Sequence, residues 1–192
     1  NTQTASNTVS GTGGGATNTA VSFHKQGHHV RIFCKVGQDL AGDQILGELN
    51  DLGIDTSLVK RSDIGTATSF VVPSLRGDRT VFAYRGANTR LLRSEFNPKA
   101  IAESDFLYIT SLSKGSAARV PEICEMAQQS QVKVAINPGV SQLKLGSGFV
   151  KSALPHIDAL ILNYEEAKQL MASLVVADNR EELSSSASTS TS

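Results

Sequence analysis

Two rhythms of apolar residues run through this chain of 192 residues, and the changes from one to the other mark its elements. Short runs rich in β-branched and aromatic residues, bounded by Gly, Asn, Asp or Pro, read as strands. They are Val30 to Val36, Leu58 to Lys60, Thr68 to Val72, Thr80 to Tyr84, Phe106 to Thr110, Val132 to Ile136 and Asp158 to Leu162. Elsewhere apolar positions recur every three or four residues, the helical period. Ala16, Ala20 and Phe23 form one such face and Ile45, Leu46, Leu49 and Leu52 a second. Val120, Ile123, Cys124 and Ala127 form a third, and Ala167, Leu170 and Met171 continue a helix opened near Asn163. Gly27 and Gly53 stand where left-handed caps belong, and Asp39 where an N-cap belongs.

The order of these elements predicts topology. Thr68 to Val72 and Thr80 to Tyr84 are joined through Arg76-Gly77-Asp78, which is turn chemistry, so they form a hairpin that needs a partner surface. From Asp105 onward strand, helix, strand, helix, strand implies a parallel sheet with right-handed crossovers. Ligands of such sheets bind beyond the carboxyl ends of the strands. Those ends deliver Thr110-Ser111, Asn137-Pro138-Gly139 and Asn163 to one polar edge.

Composition narrows the partners. Eighteen Lys and Arg balance eighteen Asp and Glu, so no global field favours nucleic acid or an acidic membrane, and a small neutral or anionic metabolite fits better. The two cysteines, Cys34 and Cys124, are far apart and give neither a metal spacing nor a disulfide framework; core filling is expected of both. No run approaches the ~20 apolar residues of a membrane span, and Asn1 onward shows no export pattern, so a cytoplasmic protein is expected. Residues 1–12 read as a polar arm, and Ser184 to Ser192, made of Ser, Ala and Thr only, as a low-complexity tail.

Candidate chemistry concentrates at Gly13-Gly14-Gly15-Ala16-Thr17-Asn18, glycines that run directly into a helix. Bare backbone N–H groups beside a helix N-terminus suit an oxygen-rich ligand. The hexad from Gly11 to Ala16 satisfies the dinucleotide pattern G-x-G-x-x-A, but that pattern must follow a buried strand and be answered by an acidic residue ending the next strand. Here Asn1 to Ser10 is polar, and Val30 to Val36 is followed by Gly37. A nicotinamide-dependent enzyme is therefore the weakest of the readings.

The wider spacing of Gly14, Gly15, Ala16, Asn18 and Ala20, then Gly27, then Gly37, resembles the first signature of the ribokinase-like sugar kinases, the family that includes fructokinases and adenosine kinase. Gly37-Gln38-Asp39-Leu40-Ala41-Gly42 matches the same family's G-x-D-x-x-G turn, where Asp39 is either a cap or a ligand contact. The resemblance implies an α/β, three-layer sandwich with a mostly parallel central sheet and a small β lid. Residues 12–183 would form a partial domain, with lid segments near 1–12 and 66–88. It implies ATP-dependent phosphorylation of a hydroxyl on a sugar or sugar-like substrate with Mg²⁺, and a possible homodimer through the lid. Gly13, Gly14 and Asn18 would bind substrate. Arg85, at the lid hinge, either reaches an anionic substrate group or is solvated lid surface. Asn163-Tyr164-Glu165-Glu166 matches the family's N-x-x-E motif, which would put Asn163 by the nucleotide phosphates and Glu166 at the magnesium through water; the plain alternative is a capped helix start. The family's G-A-G-D loop, which carries the catalytic base, and its first-strand N-x-D motif do not occur, so no base can be named and the C-terminal nucleotide-binding part is missing. A fragment, omitted stretches or a silent sugar- or nucleotide-binding relative would each account for that.

Overall fold

The computed structural model describes residues 10–73, 79–145 and 152–175. In chain order its elements are α1 (Gly15–Lys25), β1 (Lys35–Gly37), α2 (Leu40–Asp51), β2 (Lys60–Ser62), β3 (Thr68–Pro73), β4 (Arg79–Tyr84), α3 (Pro98–Ala102), β5 (Phe106–Ile109), α4 (Val120–Gln129), β6 (Lys133–Ile136), α5 (Val140–Leu143) and β7 (Ala159–Leu160). A helix, α6, follows over residues 164–175. β5, β6 and β7 form a parallel sheet in that order, β1 pairs in parallel with β2, and β3 with β4 antiparallel. Among the described residues no helix is long and apolar enough to cross a membrane.

The α4 periodicity translates directly into packing. Val120, Ile123, Cys124 and Ala127 are all buried, against Val134 and Ile136 of β6 and Leu143 of α5. Each large aliphatic side chain so buried stabilises the fold by roughly 2 kcal/mol. A second core joins α1 and α2 through Ala20, Ile32, Leu49 and Ile54. Burial pushes the Cys34 thiol up to about 11 and that of Cys124 up to about 12, as expected of cysteines that fill space.

Three sequence expectations shift. The run from Val30 forms a regular ladder only at Lys35–Gly37. Before that, Ile32 N donates to Asp55 O and Asp55 N to Val30 O, but the partner segment then turns at residues 57–58, where the Ser57 amide donates to the Asp55 carboxylate at 2.8 Å. The same turn delays the strand expected at Leu58 to Lys60 until Lys60–Ser62. Leu52, placed on the buried stripe of α2, is 44% exposed because the helix ends at Asp51 and leaves it as the C-cap.

Lys35 breaks the alternation outright, lying 6% exposed within β1. Its ammonium donates to Glu95 Oε1 at 2.5 Å and to Arg90 O at 2.9 Å, while Glu95 Oε2 accepts from Leu92 N at 2.7 Å. Desolvation pushes the Glu95 carboxyl up, but the bonds from Lys35 and Leu92 outweigh it and leave the pKa below its ordinary value. Its contribution to stability is therefore present above the ordinary carboxylate pKa, near 4.5, and is lost as pH falls through the depressed folded value. Glu95→Ala is expected to cost about 3 kcal/mol in urea denaturation at pH 7, since it strands a buried ammonium. The deficit should shrink at acid pH, where the wild-type carboxyl is itself protonated. A loss under 1 kcal/mol would show that water replaces the carboxylate.

Candidate substrate site at the carboxyl edge of the sheet

The glycine turn becomes the N-terminus of α1, with Gly14 as N-cap at φ +106°. A side chain at Gly13 would meet nothing within 4 Å, and at Gly14 only the Thr17 hydroxyl, so open space adjoins both. No side chain caps the helix, which leaves its first-turn N–H groups available to a ligand. Thr17 turns its hydroxyl inward instead, donating to Gly13 O at 2.8 Å, and the Asn18 amide donates to Gly14 O at 3.1 Å. Gly15 is seated against Thr110, the residue after β5; an added Cβ would lie 3.0 Å from the threonine Cβ. Thus the first turn of α1 abuts the carboxyl end of the sheet.

That end is held by a residue the sequence patterns did not single out. Gln142, fully buried, accepts from Leu112 N at 3.0 Å and Gly139 N at 2.6 Å through Oε1, and donates from Nε2 to Thr110 O at 3.1 Å. One amide thereby joins the loops leaving β5 and β6. Gly139 passes so close to Ser111 that no side chain fits there. Asn137 closes the next gap, donating through Nδ2 to Ile161 O at 2.8 Å just beyond β7. Thr110, Ser111, Asn137 and Gly139 do converge on one edge, as the topology required.

The other candidates are placed less uniformly. Asn18 borders a hollow of about 400 Å³ between α1 and α2, with Thr12, Thr17, Ser22 and Glu48 as its other polar walls and Val21, Leu49 and Leu52 as apolar ones; Asn137, Asn163 and Arg85 do not line it. Glu48, which also accepts from Gln44 Nε2 at 2.9 Å, was not flagged by any motif. Arg85 is exposed at the foot of the hairpin, directly before Gly86. Asn163 and Glu166 engage each other: Glu166 N donates to Asn163 Oδ1 and Asn163 N to Glu166 Oε2, both at 2.9 Å. This is a capping box opening α6, so the plain reading of Asn163-x-x-Glu166 is realised. The box uses Asn163 Oδ1 and Glu166 Oε2, which leaves Asn163 Nδ2 and Glu166 Oε1 outside it.

The hairpin carries its own signal. Both strands are exposed throughout, and the cross-strand pair Phe70 and Phe82 is 62% and 64% exposed. Its turn, Arg76-Gly77-Asp78, and the arm of residues 1–9 lie outside the described residues. A hairpin this apolar on the surface is a surface for something else.

A parallel sheet whose polar carboxyl edge receives a glycine-rich helix start, together with a separate exposed hairpin, defines an α/β protein with a candidate small-molecule site. The chain belongs to the pfkB family of carbohydrate kinases, whose sequence profile matches residues 1–189. Among solved structures it is similar to a fructokinase from Xylella fastidiosa, at 22% identity and a TM-score of 0.72 over 84% of this chain and 54% of that one. A 2-dehydro-3-deoxygluconokinase from Thermotoga maritima gives 19% and 0.71 over 83% and 53%. An adenosine kinase from Sinorhizobium meliloti gives 21% and 0.67 over 82% and 50%. At these identities the likeness establishes the ribokinase-like fold, and the chain spans about half the length of the proteins it matches.

Proposed function

We propose that the intact protein is an ATP-dependent kinase acting on a hydroxyl of a sugar or sugar-like substrate, and that this chain supplies the substrate side of the site. One observation carries the reading: the uncapped N-terminus of α1, flanked by two unobstructed glycines, is seated on Thr110 at the carboxyl edge of a parallel sheet. Backbone amides there suit the oxygens of a polyol. Asn18, with Thr12 and Glu48 across the hollow, adds donors and acceptors over an apolar floor. We assign Arg85 and the exposed hairpin to a lid over that substrate, and the apolar faces of the hairpin suit a homodimer contact. Sedimentation showing only monomer would remove that last element.

The side-chain atoms that the capping box does not use suit the nucleotide side. Asn163 Nδ2 is a donor suited to phosphate oxygen, and Glu166 Oε1 a single carboxylate oxygen. A single carboxylate oxygen suits Mg²⁺, which keeps several of its waters and takes one or two carboxylates. When bound, Mg·ATP supplies the phosphoryl group and offsets its charge. This chain's own residues fix the substrate hydroxyl and exclude water around it.

Incubating the intact protein with Mg·ATP and a panel of pentoses, hexoses and nucleosides should give a phosphorylated product with at least one. Asn18→Ala should raise KM for that substrate by roughly tenfold to a hundredfold, the loss of one or two substrate hydrogen bonds, with KM for ATP unchanged. Binding without product on every substrate would instead identify a silent relative.

A further inference from the structure

The hairpin β3–β4 has a root whose bonding exceeds what its elements need. Asp39 is the N-cap of α2, and its Oδ1 accepts from Gly42 N at 2.9 Å. Capping requires only that one acceptor, which serine or threonine also provides. Asp39 takes two further bonds from a segment 27 residues away: Oδ1 accepts from the Thr66 hydroxyl at 2.5 Å and Oδ2 from the Thr66 amide at 2.8 Å. The same hydroxyl accepts from Gly37 N at 2.8 Å, at the end of β1. Thr66 is 5% exposed and lies two residues before β3. On the returning side, Ala87 N donates to Gly65 O at 2.9 Å. Both legs of the hairpin therefore meet at residues 65–66, and those residues are tied through one carboxylate to the end of β1 and the start of α2. The packing leaves no slack, since a Cβ at Gly37 would lie 2.5 Å from Thr66 N and 2.6 Å from Asp39 Oδ2. The bonds from Thr66, and then from Gly42, hold the Asp39 carboxyl below its ordinary pKa, so it is ionised at neutral pH.

We infer that Asp39 is a positioning residue for the lid: through Thr66 it makes the root of the hairpin a fixed pivot, so that β3 and β4 move as one rigid piece over substrate held at α1. This rests on the hairpin being the lid of the proposed kinase. A hairpin with nearly all its own residues exposed gains little orientation from packing, so its direction is set at the root. A loose root would let the hairpin sample many directions, and substrate binding would have to order it each time.

The test uses the intact protein with Asp39→Ser, Thr66→Val and Thr66→Ser. Serine at 39 keeps an acceptor for Gly42 N but lacks the second oxygen and the reach to hold both Thr66 donors. It should leave the melting temperature within about 3 °C of wild type, while the Thr66 and Ala87 amides exchange at least tenfold faster. KM for the sugar should rise about tenfold with kcat within threefold. Thr66→Val should reproduce this and Thr66→Ser should restore wild-type behaviour. Unchanged exchange and KM in Asp39→Ser, or a drop in melting temperature with KM unaltered, would overturn the inference and leave Asp39 as a cap alone. The exchange measurement needs no substrate, so a protein that phosphorylates nothing removes the kinase reading while the pivot is still decided.

Discussion

Gln142→Leu is expected to destabilise the intact protein by about 4 kcal/mol and to abolish most substrate binding, although leucine nearly matches glutamine in volume. The side chain is fully buried and satisfies two backbone N–H groups and one backbone C=O. Each orphaned buried group costs about 1–3 kcal/mol, and all three belong to the segments that leave β5 and β6. Thr110 is one of them, and Gly15 packs on Thr110, so the first turn of α1 loses its seat when Gln142 is lost. Gln142→Glu separates hydrogen bonding from shape. It keeps the acceptor for Leu112 and Gly139 but turns the donor toward Thr110 O into a buried carboxylate, whose pKa burial raises. That variant should be least stable above neutrality and should recover as pH falls and the carboxyl regains a proton to donate. Urea denaturation of both variants between pH 5 and 8 measures this, and a pH-independent loss in Gln142→Glu would show that the network is open to water.

The α4 face and the caps at Asp39, Gly27 and Gly53 were legible because each depends on residues within one or two turns of chain, and the parallel sheet because strand and helix runs alternate in order along it. Asp39, for example, is recognised by its own position before Leu40, and the structure gives it φ −136° and the Gly42 bond of an N-cap. What escaped depends on distant partners. Gln142 sits four residues past Pro138 in a polar stretch and looks solvated; its bonds reach 30 and 32 residues back. Lys35 in a strand reads as a solvent-facing position until Glu95, 60 residues on, is placed beside it. Asn163 and Glu166 were readable both as a capping box and as ligand groups, and the observed bonds fulfil the first while leaving one donor and one oxygen for the second. Glu48 had no motif at all, and only the approach of α2 to α1 sets it opposite Asn18.

Gly86→Val should prove the most damaging glycine substitution at the hairpin root. Gly86 has φ +44°, a left-handed conformation that costs an L-residue about 1–2 kcal/mol and a β-branched one more. Space is the larger obstacle. A Cβ here would run into the carbonyl oxygen of Gly65 and lie 3.0 Å from both Ala67 N and Tyr84 Cε1. The first two are backbone atoms of the outgoing leg and cannot rotate aside as a side-chain tip would. Relieving the contact means parting the two legs, which breaks the bond from Ala87 N to Gly65 O and exposes Ala87, now fully buried. Strain and lost bonding together come to on the order of 4 kcal/mol. Gly47→Ala is the matched control of opposite sign: it lies inside α2, and a Cβ there would touch nothing within 4 Å. Alanine at that position should stabilise the protein by about 0.5–1 kcal/mol through helix propensity and a less flexible unfolded chain. Urea denaturation of the two variants side by side reads the contrast, and a Gly86→Val protein within 1 kcal/mol of wild type would mean the legs of the hairpin are free to separate.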